Sequence, residues 1–166
     1  PGTCKVTSLS ISTHAVPLNK AKRGENLWMT VSISSGADLR VGSVLSDQEA
    51  PMVCKEFLAE CGIFALPDQV LFAPGLTGIM HIHTATVGFK VVRLMEKFDP
   101  SKGEMVKVPK TKQFVGVGVK VTCIIVLDSK VAATTFKQSS KLGRFVMRGG
   151  GMSFGSGRII RIKPSN

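Results

Sequence analysis

A chain of 166 residues that is 43% hydrophobic can bury one substantial core or two small ones, which excludes an intrinsically disordered segment. No apolar run approaches the roughly 20 residues that a helical membrane span needs, and Pro1-Gly2-Thr3-Cys4 has no signal-peptide character, so a cytoplasmic protein without a membrane partner is expected. The net charge of +11 is lopsided: residues 1–89 carry six Lys and Arg against seven Asp and Glu, whereas residues 90–166 carry sixteen against four. A basic second half attracts acidic or phosphate-rich partners, so ribosomal RNA, free RNA and an acidic protein all fit it, as does a merely solvated basic face.

Period-two alternation dominates the chain and helical periodicity is scarce, which predicts an all-β protein. A strand is predicted at 4–11, and after the turn Arg23-Gly24-Glu25-Asn26 a second one places Leu27, Met29, Val31 and Ile33 on one face. The turn Ser34-Ser35-Gly36-Ala37-Asp38 precedes a predicted strand at 39–45. Ser46-Asp47-Gln48-Glu49-Ala50-Pro51 then forms the candidate domain boundary, because it is polar and ends one strand series on a proline. Beyond it, strands are predicted at 53–64, 79–84 and 87–97, with turns at Ala73-Pro74-Gly75 and Asp99-Pro100-Ser101-Lys102-Gly103. The run 117–125 places Val117, Val119, Val121, Cys123 and Ile125 on one face. Leu127-Asp128-Ser129 reads as the next turn, before strands at 131–136, 142–148 and 157–162. So many short strands with regular turns favour two antiparallel barrels, since closure removes exposed edges.

The strand at 142–148 carries the most informative pattern. Arg144, Val146 and Arg148 share one face while Phe145 and Met147 share the other, so one side can enter a core and the other can meet an acidic partner. Gly149-Gly150-Gly151 after it reads as a flexible or positive-φ turn into another strand. That run is not followed by Lys-Ser or Lys-Thr, and no stretch matches GxxxxGK[ST], so no nucleotide-binding residues are assigned.

Other chemistry is thin. Cys4, Cys54, Cys61 and Cys123 are dispersed without a CxxC, which predicts reduced, buried thiols and no zinc ribbon. On a strand, His81 and His83 point to one side, but a third metal ligand is not in view unless His14 or Glu60 approaches in space, and no metal residue is assigned. Thr84, following on the same strand, suits hydrogen bonding in a sheet interior. There is no GxSxG, and the acids Glu96, Asp99, Glu104 and Asp128 fall mostly at turns, so no catalytic residue is assigned and the chain is expected not to be an enzyme. Tyrosine is absent, Trp28 is alone, and Phe89, Phe98, Phe114, Phe136, Phe145 and Phe154 are spaced as core residues. Contact with nucleic acid would rest on Lys and Arg reaching phosphates.

Several segments in order resemble the two C-terminal β-barrels of translational GTPases of the elongation-factor type. Ala21-Lys22-Arg23-Gly24-Glu25-Asn26-Leu27 resembles the PGENL turn of the second domain, and Asp38-Leu39-Arg40-Val41-Gly42-Ser43-Val44-Leu45 its closing strand. Phe72-Ala73-Pro74-Gly75 through Met80-His81-Ile82-His83-Thr84-Ala85 resembles the entry of the third domain. Ser101-Lys102-Gly103-Glu104, Leu142 through Arg148, and Gly157-Arg158-Ile159-Ile160 continue that pattern. Within the superfamily, Gly143 through Arg148 is closest to the GRFTLR strand of eukaryotic class-two polypeptide release factors. Gly149, Gly150 and Gly151 depart from it, standing where an acidic residue is usual, and are closer to the ribosome-rescue members; Thr134 stands where glutamate is usual.

The resemblance implies a partial barrel of domain II at 1–49 and a complete barrel of domain III at 50–166, with Pro1 falling near the middle of domain II. It also implies a fragment whose GTP- and magnesium-binding domain lies elsewhere in the parent GTPase, so this chain itself holds no cofactor. Residues 1–45 are expected to be tethered to the third domain or paired with another chain, because a half barrel leaves open edges. The implied partner is a class-one release factor or a release-factor-like protein, delivered to the ribosome by the parent. Arg144, Phe145, Val146, Met147 and Arg148 are the candidate partner-binding residues. The equivalent region of an aminoacyl-tRNA carrier and a free-standing RNA-binding barrel are the alternatives.

Overall fold

A computed structural model describes residues 4–13, 16–33, 39–47, 51–67 and 70–164. Among the described residues there are ten strands and no helix. Contacts divide the chain into Pro1–Leu39 and Arg40–Asn166. The first unit is a three-stranded antiparallel sheet of β1 (Val6–Thr13), β2 (Val16–Leu18) and β3 (Trp28–Ile33), in the order β2-β1-β3. Ile11 sits at its centre, opposite Leu18 on one side and Met29 on the other.

The second unit contains β4 (Met52–Ile63), β5 (Thr77–Ile82), β6 (Ala85–Asp99), β7 (Glu104–Lys107), β8 (Lys120–Ala133), β9 (Arg144–Gly149) and β10 (Met152–Pro164). Pairing runs β5-β9-β10-β4-β8-β6, and β6 pairs back onto β5, which closes a six-stranded antiparallel barrel with β7 as an extra strand on β6. Closure gives each barrel strand two neighbours and leaves the inside to side chains. On β4, Phe57, Ala59, Cys61 and Ile63 point inward; on β8, Val121, Cys123, Ile125 and Leu127 do the same. Phe57, Phe72 and Phe89 are among the largest fully buried side chains, each contributing about 1.5–3 kcal/mol by burial.

Two connections show how sequence sets the closure. Met152 pairs with Gly149, so β9 and β10 are joined by Gly150 and Gly151 alone, both at positive φ (58° and 79°). A two-residue hairpin with positive φ at both positions favours glycine and matches the twist of the strands. At Ala73-Pro74-Gly75-Leu76, the Leu76 N–H donates to Ala73 O at 3.1 Å and Gly75 has φ 94°, so Pro and Gly occupy the two central positions of a type II turn.

Several local expectations are corrected. Residues 39–45 form no strand: Ser43 N–H donates to Arg40 O at 2.9 Å across a turn, and Gly42 has φ 97°. A Cβ there would lie 2.6 Å from Ala85 Cβ, so this segment packs with the barrel, in the unit that starts at Arg40. The strand predicted from 117 begins at Lys120, because Gly118 at φ 82° breaks the extended backbone; Val117 is exposed. Leu127-Asp128-Ser129 is not a turn but part of β8, where the register against β4 jumps from Val126 to Val131, and no separate strand runs over 131–136. Such an irregularity in a long strand bends it around the barrel. The short strands β2 and β7 were not expected from the sequence. The turn signal at 34–38, His14 and Gln48-Glu49-Ala50 of the boundary segment lie outside the described residues. No helix among the described residues is long and apolar enough to cross a membrane.

Candidate functional site

β9 is built to show one face. Phe145 and Met147, at 2% and 0% exposure, lie inside the barrel, while Arg144, Val146 and Arg148 are exposed. The inward pair fits because β10 opposes it with glycines: a Cβ at Gly157 would lie 2.5 Å from Phe145 Cζ, and one at Gly155 2.7 Å from Met147 Cε. Phe145 also meets Phe57 in a tilted ring contact at 5.7 Å. Of the five residues singled out from the sequence, Phe145 and Met147 are therefore placed to hold the strand in register and have no surface to offer a partner.

The outward three are surrounded by known neighbours. On β5, Ile79 stands opposite Arg148 and His81 opposite Val146; on β10, Arg158 stands opposite Arg144 and Ser156 opposite Val146. Ile79 and Val146 are exposed, so two apolar side chains lie beside Arg148. Among the described residues no carboxylate pairs with Arg148.

Arg144 is in a different position. Its Nε donates to Ser140 O at 2.7 Å, and its Cζ lies 5.7 Å from the Phe136 ring centroid. Arg158 Cζ lies 5.8 Å from the same ring and its guanidinium reaches Glu60 at 3.1 Å, where Lys120 also binds at 3.0 Å. Two like charges opposite each other across an antiparallel pair would repel; the shared ring and Glu60 offset that repulsion. Burial acts to raise the Glu60 pKa, but hydrogen bonds from Lys120 and Arg158 and their charges outweigh it, and the carboxyl is held below its ordinary value. Phe136, spaced like a core residue, is half-buried and serves this cation network.

Other candidates separate in space. His83 is not on the strand: it occupies the two-residue β5–β6 turn with Thr84, at φ 45°, and its Nε2–H donates to Ala132 O at 2.9 Å. His81 is hydrogen-bonded through Nδ1 to Thr86 Oγ1 at 3.1 Å, so the two rings serve different partners. Among the described residues, no three His, Cys, Asp or Glu side chains gather as a metal site. Asp99 accepts from Ser101 Oγ at 2.6 Å and Ser101 N–H at 3.0 Å, bonds that hold its carboxyl below the usual value. Cys54, Cys61 and Cys123 are buried thiols, with Cys61 Sγ 3.7 Å from Cys123 Sγ. Burial pushes Cys54 up to about 11. Thr134 Oγ1, at the position where glutamate is usual in the resembled family, is buried without a hydrogen-bond partner among the described residues.

The glycine run does not fit a phosphate-binding loop, since Gly150 and Gly151 join two antiparallel strands and no helix N-terminus follows. The phenylalanine spacing misled at Phe98 and Phe114 as well as at Phe136. Phe98 and Phe114, 38% and 49% exposed, flank a groove of about 300 Å³ that also includes Lys97 and Val119. Phe98 stands near the end of β6 and Phe114 in the connection that follows β7, and both side chains are exposed although their spacing resembles that of core residues.

With this geometry in hand, the comparisons with known proteins are consistent in kind. The family described as GTP-eEF1A C-terminal domain-like matches residues 56–160. Elongation factor 1-alpha of Pyrobaculum islandicum is 36% identical over 94% of this chain and 34% of its own length. The Sulfolobus acidocaldarius protein of the same name is 32% identical over 93% of this chain and 35% of its own length. The chain thus spans about a third of the length of the curated relatives it matches. Among solved structures, sup35 complexed with GMPPNP aligns with a TM-score of 0.79 at 25% identity, covering 98% of this chain and 38% of that one. Sup35 complexed with GDP aligns at 0.77 and 23% identity, covering 96% and 38%.

Proposed function

This chain belongs to the eEF1A C-terminal-domain-like family, and from that premise we propose that it is the partner-binding, non-catalytic region of a translation-termination GTPase. It docks a class-one release factor, or the release-factor-like partner of a rescue GTPase, on the outer face of β9. The parent brings that partner to the ribosome in the cytoplasm, and GTP with magnesium binds in a domain outside this chain. The observation that carries the reading is Arg148, an exposed cation with no carboxylate partner among the described residues, beside Ile79 and Val146. An arginine among apolar side chains is the composition of a protein-binding hot spot, where a partner carboxylate gains a charge-assisted bond in a desolvated setting.

A second reading, binding of aminoacyl-tRNA, is favoured by the elongation-factor relatives and by the groove holding Lys97, Phe98 and Phe114. Lysine beside exposed rings suits phosphates and bases better than β9 does. Retention assays with the full-length protein against a class-one release factor, a release-factor-like rescue protein and aminoacyl-tRNA separate these readings. The expected result is retention of a release-factor type protein, lost by about 2 kcal/mol or more in Arg148→Ala. Retention of aminoacyl-tRNA alone overturns the docking reading.

A further inference from the structure

The connection between β8 and β9, residues 134–143, is held firmly and carries charge that no carboxylate among the described residues pairs. Phe136 N–H donates to Ile159 O at 2.9 Å and Ile159 N–H to Gly143 O at 2.8 Å, which clips both ends of the loop to β10. Inside it, Ser139 N–H donates to Thr135 O at 3.1 Å and Gly143 N–H to Ser139 O at 2.9 Å. Gln138 Oε1 accepts from Thr135 Oγ1 at 2.9 Å and from its N–H at 3.2 Å. Gly143 lies so close to Phe136 that a Cβ would meet the Phe136 backbone nitrogen at 2.5 Å. Arg144 completes the clamp through Ser140 O and the Phe136 ring.

A loop tied down in this way presents Lys137 and Lys141 to solvent, and among the described residues neither has a carboxylate partner. Glu60, the acid in this neighbourhood, is already occupied by Arg158 and Lys120. We infer that the 134–143 loop is the second half of the β9 docking face: Lys137 and Lys141 engage carboxylates of an acidic protein surface, and Arg144 is the positioning residue that holds the loop for them. The inference rests on the docking reading above and commits to a protein, because exposed Ile79 and Val146 continue the same face and give phosphates nothing to bind. The two arginines of one strand then have different roles, with Arg148 touching the partner and Arg144 acting through Ser140 and Phe136.

The test measures affinity of the full-length protein for a class-one release factor across a salt series. Lys137→Glu/Lys141→Glu replaces two exposed side chains without a carboxylate partner among the described residues, so its unfolding midpoint should match the wild type while affinity falls about tenfold or more, and less at high salt. Arg144→Lys keeps the charge but loses the planar guanidinium. Its expected signature is faster amide exchange at Ser139 and Gly143 together with weaker binding, whereas Arg148→Lys weakens binding with exchange in the loop unchanged. Wild-type affinity in the double reversal overturns the inference while leaving the docking reading in place. If the wild type retains no release factor, both fall. If the double reversal weakens tRNA binding and not release-factor binding, the loop serves nucleic acid and the inference is overturned.

Discussion

In the barrel, β4, β6 and β8 each carry a row of buried side chains, with breaks in alternation such as Val92-Arg93 on β6 and Val121-Thr122-Cys123 on β8; in the β1–β3 sheet no described residue is buried. Both units use alternating apolar strands, and β3 carries Met29, Val31 and Ile33 on one side just as β8 carries Val121, Cys123 and Ile125. The difference is closure. β5 pairs with both β6 and β9, so the barrel strands enclose a common interior, whereas β2 and β3 are edges of an open sheet. Alternation thus specifies which face is apolar, but a long-range pairing decides whether that face has an inside. The docking face depends on this, because Arg144, Val146 and Arg148 point outward only while Phe145 and Met147 are anchored within.

The largest effect that would break the comparison is truncation of a barrel anchor. Phe145→Ala should cost about 3–5 kcal/mol in denaturant unfolding of the barrel, since it empties the space against Phe57 and over Gly157. Trp28→Ala, at a position 78% exposed in the open sheet, should change stability by less than about 0.5 kcal/mol. Equal losses at the two sites would mean that the sheet has a core of its own.

How much of this was legible in the sequence follows the same division. Local chemistry was readable: the alternation of β9, the positive-φ glycine hairpin, the Pro-Gly turn and the buried thiols of Cys54, Cys61 and Cys123 all follow from near neighbours, while Cys4, expected to be buried too, is only half-buried. What depends on distant pairing was not. The sequence Leu127-Asp128-Ser129 reads as a turn because its residues favour one, yet Leu127 pairs with Phe89 of β6 and β4 pairs on either side, at Val126 and Val131, so the segment stays within a bent strand. Arg40-Val41-Gly42-Ser43 reads as extended, yet Gly42 turns there against Ala85. At the site, the sequence marked Arg144 and Arg148 as equivalents, and it gave no sign that Ser140 and Phe136 would hold one of them. Ile79, from β5, joins the face only through the β5–β9 register.

A smaller effect probes the barrel interior by titration. Burial raises Cys54 to about 11, above its ordinary value of 9.0, so the folded state favours the protonated thiol. The stability linked to that preference is fully present below pH 9 and is lost as pH rises through about 11, where the unfolded chain has already released its proton. Denaturant midpoints of the barrel should therefore fall across that alkaline range. Cys54→Ala should lower stability at neutral pH and flatten the fall; an unchanged alkaline slope would assign the loss to other groups.

The smallest expected effect concerns the outside of the same wall. Glu60 on β4 is tied to Arg158 and Lys120, and its carboxyl is held below its ordinary value of 4.5. A depressed carboxyl contributes stability above the ordinary carboxylate range and loses it as pH falls through the folded value. Because both cations are partly exposed, the contribution is small, and Glu60→Gln should cost under about 1 kcal/mol near neutrality while weakening the acid limb of the stability profile. Its effect on docking should have the opposite sign. Removing the one acid shared by Arg158 and Lys120 makes the neighbourhood of β9 more positive, so an acidic partner should associate faster at low salt, with the gain disappearing at high salt. Stopped-flow association rates read this directly, and a slower rate in Glu60→Gln would show that Arg158 must be held over Phe136 for the face to be competent.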